Sequence, residues 1–250
     1  MQRDIGEAME RFIYEAHFSS IVDEFPDKKQ FPKYYKAQKA EFILRPGDKL
    51  FIPTGWFHWA FSEPNGDEPN VAVNYWYDSN DWQVGDEYTN EVARKTTFDA
   101  SAIDYKQLLG SLDGHVQVSK SETRGFMTGD RVMYRYPAVD FSMHTMPFDL
   151  FYKMKDRCMY MMGHKDTRLD RYAPPHHQRL FKAQWWVNWG DVTSGLHFDN
   201  WDNWLCQLSG TKRVLMFEPD DYDNLYTLNP YPVRFIKYVR DKVGHKKVDR

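Results

Sequence analysis

The stretch HFDNWDNWLCQLSGTKRVLMF, residues 197–217, decides how this chain is read. Asn203–Leu208 is strand-like, Ser209-Gly210 supplies a tight turn, and Lys212 opens a second strand through Phe217. Short strands joined by tight turns predict antiparallel β structure. If Leu196–Asp199 is extended, His197 and Asp199 lie on one face, about 6.6 Å apart along the chain, while Phe198 faces away. A histidine and a carboxylate so placed can converge on one metal ion. On the strand after the turn, Lys212 shares a face with Val214 and Met216. A lysine on an apolar face is costly to bury without an anion, which makes Lys212 a candidate partner for a ligand carboxylate.

A second informative stretch lies far upstream: RPGDKLFIPTGWFHWAFSEPNGDEPNVAVNYWY, residues 45–77. Arg45-Pro46-Gly47-Asp48 separates two strand-like runs, Ala40–Leu44 and Lys49–Pro53. Proline presets φ there and glycine permits positive φ. Pro53-Thr54-Gly55 is another turn, and it delivers His58 to the start of the strand Trp56–Phe61. On the strand Val71–Tyr77, Ala72, Asn74 and Trp76 share a face, and a buried Asn74 needs hydrogen-bond partners.

The rest of the chain frames these stretches. Met1 to about Tyr77 opens with an expected helix, Ile5–Phe18, from its apolar spacing. Asp78 to about Asp113 is polar, with helices expected over Tyr88–Lys95 and Ala102–Leu109. From His115 on, strands are expected at His115–Ser119 and Trp185–Trp189, and a helix at Pro147–Lys155 with proline near its start. The aromatic cluster Trp185, Trp186, Trp189, Trp201 and Trp204 reads as core and cavity wall. His164, His176 and His177 lack the cysteine pattern of a zinc ribbon or finger.

With 250 residues and 42% hydrophobic content, the chain can bury a sizeable core as one or two domains. Its 33 basic and 36 acidic residues nearly balance, which gives no argument for bulk attraction to nucleic acid or a membrane surface. No apolar run approaches the ~18 residues of a spanning helix. The charged N-terminus does not look like a signal peptide. Cys158 and Cys206 are therefore expected as buried, reduced thiols in an intracellular protein, cytoplasmic or nuclear.

Taken together, the two long stretches resemble the JmjC-type, cupin-like iron(II)- and 2-oxoglutarate-dependent dioxygenases, most of all the asparaginyl hydroxylase branch that acts on hypoxia-inducible factor. Residues 197–233 look like that family's first metal-ligand segment and residues 26–77 like its distal-histidine segment; His115–Gly163 resembles its lead-in. The resemblance implies a mainly β fold with surrounding helices, a double-stranded β-helix or jelly roll. It implies His197, Asp199 and His58 as metal ligands. It also implies Lys212 and Ser194 as partners of the distal carboxylate of 2-oxoglutarate, with Tyr160, Asn203 and Asn74 lining the cosubstrate pocket. The cofactor set would be Fe(II), 2-oxoglutarate and O2, and the reaction a hydroxylation releasing succinate and carbon dioxide. A protein or peptide substrate and a homodimer are further expectations; direct nucleic-acid or membrane binding is not expected.

One feature departs from the family: the distal-histidine segment comes first. Residues 1–95 resemble the C-terminal half of the barrel and residues 96–250 the N-terminal half. Circular permutation, excision from a tandem protein, and completion of one chain's site by His58 of a second chain each accommodate that order, and a single composite barrel is the expectation carried forward. The competing functional readings are a catalytically silent cupin-fold binding or scaffold module and a cupin of another chemistry. Lys212 and Asn74, suited to a dicarboxylate, speak against the latter.

Overall fold

A computed structural model describes residues 18–77, 92–121, 126–127, 141–157, 159–190, 192–199 and 201–227. Thirteen strands are defined among them: β1 (Lys39–Leu44), β2 (Asp48–Ile52), β3 (Phe57–Ser62), β4 (Asn70–Tyr77), β5 (Arg94–Thr97), β6 (His115–Ser121), β7 (Phe126–Met127), β8 (Phe141–Pro147), β9 (Met159–Lys165), β10 (Leu180–Asn188), β11 (Val192–Ser194), β12 (Asp202–Ser209) and β13 (Lys212–Phe217). Two short helices accompany them, α1 (Tyr105–Gly110) and α2 (Phe148–Met154). The strands form a five-stranded sheet, β1-β13-β3-β11-β7, and an eight-stranded sheet, β5-β2-β12-β4-β10-β9-β6-β8. Nearly all pairings are antiparallel; β11 with β7 is parallel.

Strands from the two ends of the chain alternate. β13 lies between β1 and β3, pairing Leu44 with Lys212 on one side and Ser62 with Lys212 on the other. β12 lies between β2 and β4, and β4 also pairs with β10. Both sheets thus draw on both sequence stretches, and β5 runs across residue 95.

Period-2 alternation sorts the side chains into layers. On β3 and β13, Phe57, Trp59, Leu215 and Phe217 face outward, into a cluster with Ile21, Phe198 and Tyr222. Val214 and Met216 face inward, meeting Leu50, Ile52, Ala72 and Leu205 of the larger sheet. The outer face of the larger sheet carries Val73, Tyr75, Trp185 and Cys206, covered by Leu108 and Leu109 of α1 and Phe148 and Phe151 of α2. The fold is a mainly β, cupin-like jelly roll with helices packed outside it. Trp185, Trp189 and Trp204 belong to that outer core, while Trp186 packs inside the barrel. Cys206 is buried and free, and Cys158 lies outside the described residues. Among the described residues no helix is long and apolar enough to cross a membrane.

Several elements differ from their sequence readings. Leu196–Asp199 is not a regular strand: of these four residues only His197 forms bridges, isolated ones to Phe18 and to His58. Arg94 and Lys95, expected in a helix, lie in β5, whose pairing with β2 outweighs helical propensity. The helix expected over Ala102–Leu109 splits into a 3-10 turn at Ala100–Ala102 and α1, which starts where the Asp104 carboxylate caps the Gln107 N–H. Of the helix expected over Ile5–Phe18, only Phe18 is described.

Trp185 is fully buried and donates its indole N–H to Asp166 at 2.9 Å. Truncation should leave a cavity and remove one hydrogen bond from Asp166 Oδ2, which Arg168 still engages. Trp185→Ala is expected to lower unfolding stability by about 3–5 kcal/mol, measured by urea denaturation.

Candidate metal centre and cosubstrate pocket

His58, His197 and Asp199 meet at one end of the barrel. The three offer ligand atoms that all lie within 4.8 Å of one another. His58 Nε2 is 3.4 Å and His197 Nε2 3.9 Å from Asp199 Oδ2. Two backbone bonds set this geometry, His58 N–H to His197 O at 2.7 Å and His197 N–H to His58 O at 3.2 Å. Phe18 stacks on the outer side of His197, with ring centroids 5.2 Å apart. Gly55, at φ +79°, turns the chain into β3 and donates its N–H to Asp199 O at 2.9 Å.

Each imidazole is oriented by its far nitrogen. His58 Nδ1 meets Trp56 O at 3.1 Å, and His197 Nδ1 meets Gly195 O at 2.6 Å. A carbonyl can only accept, so Nδ1 carries the proton and Nε2 presents a lone pair. Burial, and secondarily the neighbouring His197, lowers the His58 pKa to about 4, against the opposing pull of Asp199, which keeps it neutral near pH 7. Asp199 Oδ2 is buried and accepts no hydrogen bond. The two Nε2 atoms and Asp199 Oδ2 thus face one another, each ring held by a carbonyl at its far nitrogen. This donor set suits a first-row divalent metal such as iron(II).

From this end a polar track runs down the barrel. Register pairs Met216 with His58, Val214 with Ala60 and Lys212 with Ser62, so Lys212 lies two strand rows beyond the metal end. The Lys212 ammonium is buried and donates to Ser62 Oγ at 2.7 Å and Asn70 Oδ1 at 3.3 Å. Asn188 donates to Ser62 Oγ, and Gln207 to Asn70 Oδ1. Lys212 forms no ion pair among the described residues, and burial lowers its pKa to about 7. Gly210, at φ +73°, turns β12 into β13 so close to Asn70 that a Cβ there would lie 2.7 Å from its amide nitrogen.

The other sequence-derived residues fall along the same track. Ser194 stands in the row between, its hydroxyl accepting from Ala60 N–H at 3.0 Å. Tyr160 is buried on β9, 5.5 Å from the Trp186 ring and packed with Val192, which pairs with Ser62. Asn203 and Asn74 project from the larger sheet. The Asn203 amide, Asn74 Oδ1 and the Trp76 and Trp186 indole N–H groups are buried without hydrogen-bond partners. On inward-facing positions such groups are ones a polar ligand could satisfy. Ser62 and Asn70, which hold Lys212, and Asn188, which donates to Ser62, were not singled out from the sequence. They sit at strand ends, where a polar residue is unremarkable until register places it indoors.

A second cluster sits on the opposite face of β12. His176, His177 and Asp202 bring donor atoms within 4.8 Å of one another, while His164 lies elsewhere. Here the acceptors are already engaged. Asp202 Oδ2 meets His176 Nε2 at 3.1 Å, and Asp202 Oδ1 accepts from both Thr54 N–H and Thr54 Oγ1. The cluster clamps the turn before His58 to the chain just after Asp199.

A family model of the cupin-like domain matches residues 6–83 and 89–249. The chain belongs to the cupin-like domain family. It is 23% identical over 250 residues to a JmjC domain-containing protein of Acanthamoeba polyphaga mimivirus, covering 87% of this chain and 40% of that protein. Shorter matches link the chain to a lysine-specific demethylase of Arabidopsis thaliana, 39% identical over 67 residues, 26% of this chain and 12% of that protein. A human bifunctional peptidase and (3S)-lysyl hydroxylase is 36% identical over 53 residues, 21% of this chain and 16% of that protein. The chain thus spans less than half the length of these relatives. No solved structure matches.

Burial raises the Asp202 pKa, but the hydrogen bonds from His176 and Thr54 outweigh it and leave a net lowering. A lowered carboxylate contributes stability above its unfolded pKa of about 3.9 and loses it as pH falls through the folded value. Asp202→Asn should therefore cost about 1–3 kcal/mol at pH 7. The gap to the parent chain should close as denaturation is repeated below pH about 3.9.

Proposed function

We propose that this chain is an iron(II)- and 2-oxoglutarate-dependent oxygenase that hydroxylates a protein or peptide side chain, releasing succinate and carbon dioxide. The observation that carries this reading is the convergence of His58 Nε2, His197 Nε2 and Asp199 Oδ2 at one end of a barrel whose other end holds the Lys212 ammonium, which has no ion pair among the described residues. A dicarboxylate needs both features, a metal for one end and a cation for the other. Membership of the cupin-like family and relatives named as demethylase and hydroxylase support the same class of chemistry. The finer likeness to asparaginyl hydroxylases rests on Lys212, Asn74 and Asn203 in matching segments of the sequence.

In this reading His58, His197 and Asp199 would hold iron(II). Iron so held supplies the oxidative decarboxylation of 2-oxoglutarate and the oxidation of a substrate C–H bond. The residues of this chain do the positioning. Lys212 receives the distal carboxylate, and Ser62 and Asn70 aim its ammonium. The Ser194 and Tyr160 hydroxyls flank that carboxylate. Asn203, Asn74 and the Trp186 indole line the cosubstrate between the two ends. The reversed chain order is accommodated because ligands need adjacency in space and not in sequence, and a single composite barrel remains the reading adopted.

Anaerobic titration with iron(II) and then 2-oxoglutarate should produce the weak visible charge-transfer band of the chelate. His58→Ala and Asp199→Ala should abolish it while far-ultraviolet circular dichroism is retained. No band in the parent chain would instead favour a silent cupin module.

Lys212→Ala should weaken 2-oxoglutarate binding at least about thirtyfold, the ~2 kcal/mol expected on losing one partner of a buried charge pair. The Lys212 pKa of about 7 adds a pH signature. The ammonium is the form that binds the carboxylate, so affinity should be flat below pH about 7 and fall up to tenfold per unit above it. Calorimetry in buffers of different ionisation enthalpy should show proton uptake on binding above pH 7. Affinity independent of pH from 6 to 9 would remove Lys212 from the site.

A further inference from the structure

The metal end of the barrel has a second inward lysine that neither the triad nor the 2-oxoglutarate track uses. On β10, Lys182 pairs with Trp76, two rows beyond the pairing of Trp186 with Ala72, and Trp76 in turn pairs with Asn203 on β12. The Lys182 ammonium lies 5.5 Å from the Trp76 ring centroid, 5.5 Å from Phe181 and 5.6 Å from Trp201. Phe181 and Trp201 are stacked nearly parallel, with centroids 5.8 Å apart at 8°. Trp76 meets Trp201 edge-on at 6.3 Å. Three rings within about 6 Å define a place for a cation, and in this chain its own lysine fills that place.

The recess belongs to the mouth of the site. Trp201 follows Asp199 by two residues, and Phe181 is 45% exposed, so the cluster borders solvent on one side and the metal ligands on the other. The charges that act on Lys182 are the Asp199 carboxylate, which favours its cation, and Lys165, which opposes it; burial is the larger influence and lowers its pKa. Among the described residues Lys182 makes no ion pair. An incoming carboxylate can reach the ammonium from the open side while the rings pack against the methylene next to it. An incoming ammonium finds the aromatic place taken and meets a like charge in a partly desolvated setting.

We propose that Lys182, with Trp76, Phe181 and Trp201, forms a substrate subsite for an acidic residue at the mouth of the barrel, and that it turns away lysine and arginine side chains. The substrate class thereby differs from what the names of the demethylase and lysyl hydroxylase relatives would suggest. The inference rests on the oxygenase reading only for the substrate's being a peptide, because binding can be measured without metal and without turnover.

The experiment uses the full chain with no metal added and three peptides identical except for a central Asp, Asn or Lys. Binding is followed by the intrinsic fluorescence of the tryptophans and by calorimetry. The Asp peptide should bind about tenfold more tightly than the Lys peptide, with Asn between them. K182Q should erase the preference, K182R should retain it, and K106Q, a change at an exposed lysine, should leave it intact. Circular dichroism of each variant separates loss of charge from loss of fold. Equal or tighter binding of the Lys peptide, no binding of any peptide, or a preference that persists in K182Q would each overturn the proposal. The iron and 2-oxoglutarate band reads the triad alone. A band without an acidic preference overturns this inference and leaves the oxygenase reading; an acidic preference without a band does the reverse.

Discussion

Everything in this structure depends on two insertions, β13 between β1 and β3 and β12 between β2 and β4. Each joins strands separated by well over a hundred residues, so the barrel closes only when the two ends of the chain find one another. Such pairings bear a loop-closure cost before any contact rewards them, and that cost grows only slowly with loop length. The hairpin over Ser209-Gly210 makes the insertion a single event, because β12 and β13 enter opposite sheets as one unit. The same event builds the site. β13 sets Lys212 beside Ser62, β12 sets Asn203 beside Trp76, and the chain just before β12 brings His197 against His58.

Closure also distributes charge along the barrel. One end gathers two imidazoles and a carboxylate with a buried oxygen that accepts no hydrogen bond, the other an ammonium with lowered pKa and no ion pair among the described residues. Neither end is comfortable by itself. Electron-rich atoms face one another at the first, and a cation without a counter-ion is buried at the second. Val214, Met216, Leu205 and Ala72 pack between them, beside the polar groups of Ser194, Asn74 and Asn203. A ligand set of one divalent cation and one dicarboxylate would satisfy both ends at once, and strain of this kind at a functional site is what a foldable sequence tolerates in return for binding.

Much of this could be read from residue order. The turns at Pro46-Gly47 and Ser209-Gly210, the period-2 faces of β4 and β13, and the inward position of Lys212 follow from local rules that do not depend on what lies across the barrel. His197 and Asp199 were legible as a pair for the same reason, although their segment proves to be an irregular edge and not a strand. Other features were not legible. Arg94–Thr97 looks helical by composition and pairs as a strand because β2 offers it an open edge. Asp202 and His176, which clamp the two ligand-bearing segments together, carry no local signature. Ser62, Asn70 and Asn188 look like ordinary polar strand ends, and Lys182 looks like an ordinary surface lysine.

The sequence by itself determined the β class, the alternation of inner and outer faces, and the residue types that could bind a metal ion. These depend on neighbours two to four residues away, where backbone geometry leaves few choices. The tertiary structure decided that strands from both stretches alternate in both sheets, which nitrogen of each imidazole faces Asp199, that the Lys212 ammonium is buried without an ion pair among the described residues, and that Lys182 occupies an aromatic recess at the mouth. Each of those depends on strand register between residues far apart in the chain, and register is set by the packing of whole faces, which no local pattern encodes.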